Sequence, residues 1–221
     1  MQVHTIPGTN IPMTEKGGMF DKFIPLIKAT NGLTLSQVCA ITELEPSTIQ
    51  NWVKRGFVAH PVNKKYHERQ LARILLISSL RDAMKIDSIG ELMHLVNGSA
   101  DDESDDIIPE DKMYDYFCEA VSKAENAIPA LEEIPVLVKE TVRDYAEPHQ
   151  HAAERLQDAL CVMVYAYCCA RYKTQADALF KKMLAESEKD ACGKWSLFSC
   201  FREKKSTEKK KYKGDTFALD W

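Results

Sequence analysis

The chain has 221 residues, 45% of them hydrophobic and 28% charged, with a formal net charge of −4. This length holds one large domain or two small ones, each able to bury a core, and two are expected. No apolar run approaches the ~18 residues of a spanning helix, so integral membrane association is excluded.

The first residues, MQVHTIPGTNIPM, lack a basic start followed by an apolar core. Without a secretory signal, the expected compartment is the cytoplasm. Seven cysteines without regular spacing suit buried thiols in a reducing compartment, and Cys39, Cys118, Cys161 and Cys168 are read as small hydrophobes.

Charge is unevenly spread. Residues 1–99 carry 11 basic against 8 acidic side chains, whereas residues 100–111, ADDESDDIIPED, carry seven acids and no base. An acidic, unpatterned run between periodic regions reads as a linker. The chain therefore divides into an N-terminal domain, residues 1–98, an acidic linker, 99–111, a helical domain, 112–190, and a basic tail, 191–221.

In chain order, Thr34 and Gln37 form a capping-box pattern that starts a short helix ending near Ile41. Pro46 suits the first turn of a second helix, residues 46–55, and Gly56 its left-handed stop. Within that helix Ile49, Trp52 and Val53 share an inward face, which leaves Ser47, Gln50, Asn51 and Lys54 outward. Gln and Asn pair bidentately with adenine edges and Lys reaches guanine or phosphate, so this face fits a DNA major groove.

Between Pro46 and Arg73 stand six bases, Lys54, Arg55, Lys64, Lys65, Arg69 and Arg73, against one acid, Glu68. Such a patch beside an exposed polar helix is an electrostatic footprint of phosphate binding. Residues 58–66, broken by Pro61 and Asn63, fit a hairpin wing that presents Lys64 and Lys65. A third helix starts near Leu71. Asp87 caps a fourth, with Ile89, Leu92, Met93 and Val96 inward, and Asn97-Gly98 ends the module.

Beyond the acidic run, Met113, Tyr116, Phe117, Ala120, Val121 and Ala124 mark one amphipathic helix, and Ile134, Leu137, Val138, Thr141, Val142 and Tyr145 another. A third begins near Gln150 and contains ALCVMVYAYCCA, apolar nearly all round, as in a helix buried on most sides. Together they predict a small helical bundle. His149, His151 and Glu154 offer metal-ligating side chains, but His149 and His151, two apart, do not share a helical face, so no metal is expected. Cys161, Cys168 and Cys169 follow ordinary core spacing. The tail, with Trp195, Phe198 and Phe201 before a lysine run, reads as a solvated segment, a membrane-surface contact or a non-specific phosphate contact.

Thr48-Ile49-Gln50-Asn51-Trp52, Gly56-Phe57, Lys64-Lys65-Tyr66 and Leu71-Ala72-Arg73-Ile74 together resemble the DNA-binding domain of the MerR family, a winged helix-turn-helix. More closely, residues 43–89 are similar to a bacterial MerR-related family known only as domain of unknown function 1836. The resemblance covers roughly residues 20–98. It implies that Gln50, Asn51, Lys54, Lys64 and Tyr66 contact DNA, although Gln50 and Lys64 stand where the family has arginines, which alters phosphate geometry.

The expected fold is mainly α: a MerR-like winged helix-turn-helix followed by a small helical bundle. The expected function is transcriptional regulation on double-stranded DNA, through Ser47, Gln50, Asn51, Lys54, Arg55, Lys64, Lys65, Tyr66 and Arg69. Residues 112–190 are expected to pair two copies into a homodimer or to sense an unidentified small-molecule effector. Typical MerR relatives dimerise through one long helix, which Pro129, Pro135 and Pro148 argue against here. No G-x-x-x-x-G-K-[ST], G-x-S-x-G or H-E-x-x-H occurs, so neither catalysis nor a cofactor is expected. The alternative is a protein-interaction module on the same fold without DNA binding.

Overall fold

The computed structural model describes residues 5–12, 19–102, 104–126 and 132–190. Pro129 and the tail, 191–221, lie outside them. The protein is mainly helical, with a single two-stranded sheet among the described residues. It divides into two compact units, residues 1–172 and 173–221.

The first unit opens with residues 5–12, which bury Ile6, and a short 3-10 turn at Phe20–Lys22. Helix α1, Ile24–Thr30, leads into strand β1, Leu33–Thr34. Thr34 then caps α2, Leu35–Thr42, through the predicted reciprocal box: its Oγ1 accepts from Gln37 N, and Gln37 Oε1 accepts from Thr34 N at 2.8 Å. Residues 43–45 turn the chain into α3, Pro46–Lys54, with Pro46 in the first turn, where its missing N–H costs nothing. At the end of α3, Gly56 N bonds Val53 O at 3.0 Å and Phe57 N bonds Trp52 O at 2.9 Å. This double closure requires a left-handed residue, and Gly56 supplies φ +76°.

Strand β2, Lys65–Tyr66, pairs antiparallel with β1 in the register Leu33 to Tyr66 and Thr34 to Lys65. The hairpin predicted over 58–66 is reduced to one tight turn. Val62 and Lys65 exchange both backbone hydrogen bonds, with Asn63 and Lys64 at φ +51° and +64°. Two positive φ angles make this the primed turn that matches strand twist. Pairing stops there because Pro61 has no N–H to offer, and His60 is tied elsewhere: its N donates to Asp101 Oδ1 and its carbonyl accepts from Gln70 Nε2.

Helix α4, Glu68–Leu80, is the axis of the first unit, with Leu71, Ile74, Leu75 and Leu76 fully buried. Helix α5, Ile86–Asn97, starts one residue before Asp87, which therefore sits in its first turn and is not the cap. Helix α6, Glu110–Asn126, packs along α4 and then against α7, Glu133–Thr141.

The expected boundary at 99–111 is not where the chain divides. Ile107 and Ile108 are buried, Ile107 N bonds Val96 O at 3.4 Å, and Tyr145 Oη donates to Ile107 O at 2.6 Å. Tyr114 Oη, from α6, also reaches back to Pro7 O at 2.6 Å. The acidic run is thus anchored to a continuous core by its two isoleucines, while Asp101, Asp102 and Asp105 stay exposed.

Helix α8, Ala152–Asp190, is 39 residues long. The prolines that argued against a long helix all precede it, and no proline occurs from 152 to 190. Within the first unit it buries Leu156, Leu160, Met163 and Val164, and the Tyr167 ring meets Phe117 edge-on at 5.8 Å. The described part of the second unit is the remaining helical stretch, 173–190.

Candidate nucleic-acid interface

Helix α3 separates cleanly into two faces. Ile49, Trp52 and Val53 are buried, while Ser47, Gln50, Asn51 and Lys54 are exposed. None of these four side chains makes a hydrogen bond or ion pair with a described residue. Lys64, at the tip of the tight turn, is also exposed.

The other four predicted contacts are committed within the protein. Arg55 pairs with Asp87 and lies over the Phe57 ring, 4.6 Å from its centroid. Lys65 Nζ donates to the Thr30 carbonyl, which ties the turn to α1. Tyr66 is buried, because β2 turns its side chain into the core. Arg69 is only 16% exposed: its Nη1 lies 3.1 Å from Asp106 Oδ2 and its Nε 3.4 Å from Glu110 Oε2. Tyr66 and Arg69 are therefore corrected from surface contacts to structural residues.

Arg73 completes that cluster by pairing with Glu110, whose side chain is fully buried. Burial raises the Glu110 carboxyl above its ordinary range, opposed by the neighbouring Arg73 and Arg69 guanidinium groups. Asp106 is shifted the same way, again mainly by burial and against Arg69. Two arginines one turn apart on α4 thus meet two acids one turn apart around the start of α6.

The Arg55 arrangement depends on a glycine in α5. A Cβ at Gly90 would stand 2.5 Å from Phe57 Cε1 and 2.7 Å from Cδ1, so only glycine lets that ring pack there. Alanine gains about 0.8–1 kcal/mol of helix propensity over glycine. Displacing the ring costs about 1–3 kcal/mol and shifts Arg55 off its stack. Gly90→Ala is therefore expected to lower stability by up to ~2 kcal/mol in urea denaturation. A more stable variant would show that Phe57 yields freely.

Other predicted features fall outside this surface. His151 Nδ1 is 3.0 Å from Glu154 Oε2, with both side chains exposed, whereas His149 meets only the Gln150 carbonyl. Among the described residues no group of three or more His, Cys, Asp or Glu is placed to hold a metal ion, and no helix is long and apolar enough to cross a membrane. Cys118 is buried, Cys39, Cys161 and Cys168 are half-buried, and Cys169 is exposed. Burial raises the Cys39, Cys118, Cys161 and Cys168 thiols, which keeps them protonated.

A family model described as "Domain of unknown function (DUF1836)" matches residues 18–117. The match runs through the acidic segment and into α6, so it takes in both the exposed face of α3 and the buried charge cluster. "Uncharacterized protein YkrK" of Bacillus subtilis (strain 168) is 27% identical over 132 residues, which is 57% of this chain and 55% of that protein. The chain thus spans about half the length of this curated relative. No solved structure matches.

Proposed function

We propose that the protein is a DNA-binding transcriptional regulator, with α3 lying in the major groove and the 62–65 turn resting on phosphates as the wing of a winged helix-turn-helix. The observation that carries this reading is the exposed face of Ser47, Gln50, Asn51 and Lys54, without partners among the described residues and backed by three buried apolar residues that hold the helix. Amide side chains at that position read adenine edges, and a buried back face gives them a fixed register. Two copies would read two half-sites, because one module offers few base contacts.

One observation favours the second reading, a protein-interaction surface on the same fold. Of the six bases in the patch, Lys65, Arg69 and Arg73 are held within the fold and Arg55 is paired at the surface with Asp87, which leaves Lys54 and Lys64 without a described partner. Gel shift of the intact protein on its own upstream DNA and on random DNA of equal length separates the two. The regulator reading expects tighter binding upstream; absence of binding to either at low salt removes it.

Lys64 also gives a test in which stability and binding move in opposite directions. Its φ of +64° is strained for a side-chain-bearing residue, and Asn-Gly is the preferred pair for this turn. Lys64→Gly is expected to stabilise the fold by about 1 kcal/mol while weakening binding to all DNA sequences alike. Unchanged DNA affinity would remove Lys64 from the interface.

A further inference from the structure

We propose that Asp87 is an internal stand-in for a DNA phosphate: it latches Arg55 in the free protein and releases it to the backbone of bound DNA. This rests on the regulator reading and adds to it a built-in brake on affinity.

Arg55 belongs to the same surface as the exposed face of α3. It stands four residues after Asn51 and eight after Ser47, so it continues their stripe at the C-terminal end of the helix. Two groups hold its guanidinium: the Phe57 ring, 4.6 Å away at its centroid, and Asp87, whose Oδ1 accepts from Nη2. These contacts differ in kind. The ring is packed so closely over Gly90 that no Cβ fits there, and a fixed ring fixes the plane of the guanidinium stacked on it. The Asp87 contact joins a side chain 39% exposed to one 69% exposed. Water screens such a pair, so it adds little to folding. Asp87 does not cap α5 either, since it sits inside the first turn.

The chemistry of the pair identifies what replaces Asp87. A carboxylate and a phosphate each present two oxygens to the N–H fork of an arginine, so a guanidinium oriented for one is oriented for the other. Among the described residues Lys54 and Lys64 have no acidic partner, whereas Arg55, the base of this face with the forked geometry, has one. Duplex DNA carries one negative charge per ~1.7 Å of its axis, which outcompetes a single screened carboxylate. The exchange leaves the stack on Phe57 intact. Its cost is the broken latch, and that cost is the same on every DNA sequence.

Quantitative gel shift of the intact protein on its upstream DNA and on a random duplex, over a range of salt, tests this with four variants. Asp87→Asn is expected to bind both duplexes about three- to five-fold more tightly, the gain that a released surface pair corresponds to. Arg55→Gln should bind both more weakly, with a log–log salt slope shallower by roughly one unit. In the double variant Asp87→Asn should lose most of its gain, because the latch has nothing left to hold. Glu91→Gln removes the same charge one turn further along α5 and should gain less than Asp87→Asn. Unchanged or weaker binding by Asp87→Asn, a full gain in the Arg55→Gln background, or an equal gain from Glu91→Gln each overturns the proposal and leaves the regulator reading standing. A wild type that binds neither duplex at low salt retires both.

Discussion

Arg73→Ala is expected to destabilise the protein by ~3–5 kcal/mol, the cost of stranding a charge in a buried pair. Arg73 is 3% exposed and its partner Glu110 0%, so water cannot take over when the guanidinium is removed. The loss should depend on pH with a definite sign. Glu110 is already raised by burial, and without Arg73 it rises further. The folded variant then binds a proton that the unfolded chain releases, so its stability improves as pH falls toward the ordinary carboxylate range and worsens above it. Replacing both partners, Arg73→Met with Glu110→Leu, removes the stranded charge and should recover most of the loss. Urea denaturation of the wild type and the two variants at two pH values measures all of this. A single variant as stable as the wild type would mean that the cluster is hydrated. The same cluster predicts that a fragment ending at Gly98 fails to fold, because it strips α6 and Glu110 from α4.

The second large effect concerns specificity. Gln50→Ala and Asn51→Ala are each expected to cost about 1–3 kcal/mol on the cognate site and much less on random DNA. Both side chains are exposed and have no partner among the described residues, so their removal leaves no buried polar group and stability should hold. Quantitative gel shift on cognate and random duplexes reads the difference. Equal losses on both would show that α3 touches backbone only.

Much of α2 and α3 was legible because local rules act there alone. The Thr34–Gln37 box, Pro46, Gly56 and the Ile49–Trp52–Val53 spacing each specify backbone within one or two turns. The fate of the basic patch was not legible in this way. Charge and family motif put Lys65, Tyr66 and Arg69 on the surface because they carry no information about distant contacts: Thr30 holds Lys65, Asp106 and Glu110 hold Arg69, and the core takes Tyr66. A signal did exist: Arg69 and Arg73 are four apart, as are Asp106 and Glu110, with Ile107 and Ile108 between the acids. Seven acids in the twelve residues 100–111 read as a linker, yet the two isoleucines tie the segment to the core. Likewise the apolar centre of α8 is legible in the sequence, whereas its distal part mixes apolar, polar and charged residues and carries no such signal.

The most direct test of DNA binding through α3 and the 62–65 turn is the salt dependence of affinity for the intact chain, Lys54→Ala and Lys64→Ala on one duplex. The plot of log affinity against log salt should fall linearly for the wild type, and each variant should be shallower by roughly one unit. Affinity indifferent to salt, or three parallel lines, would contradict it.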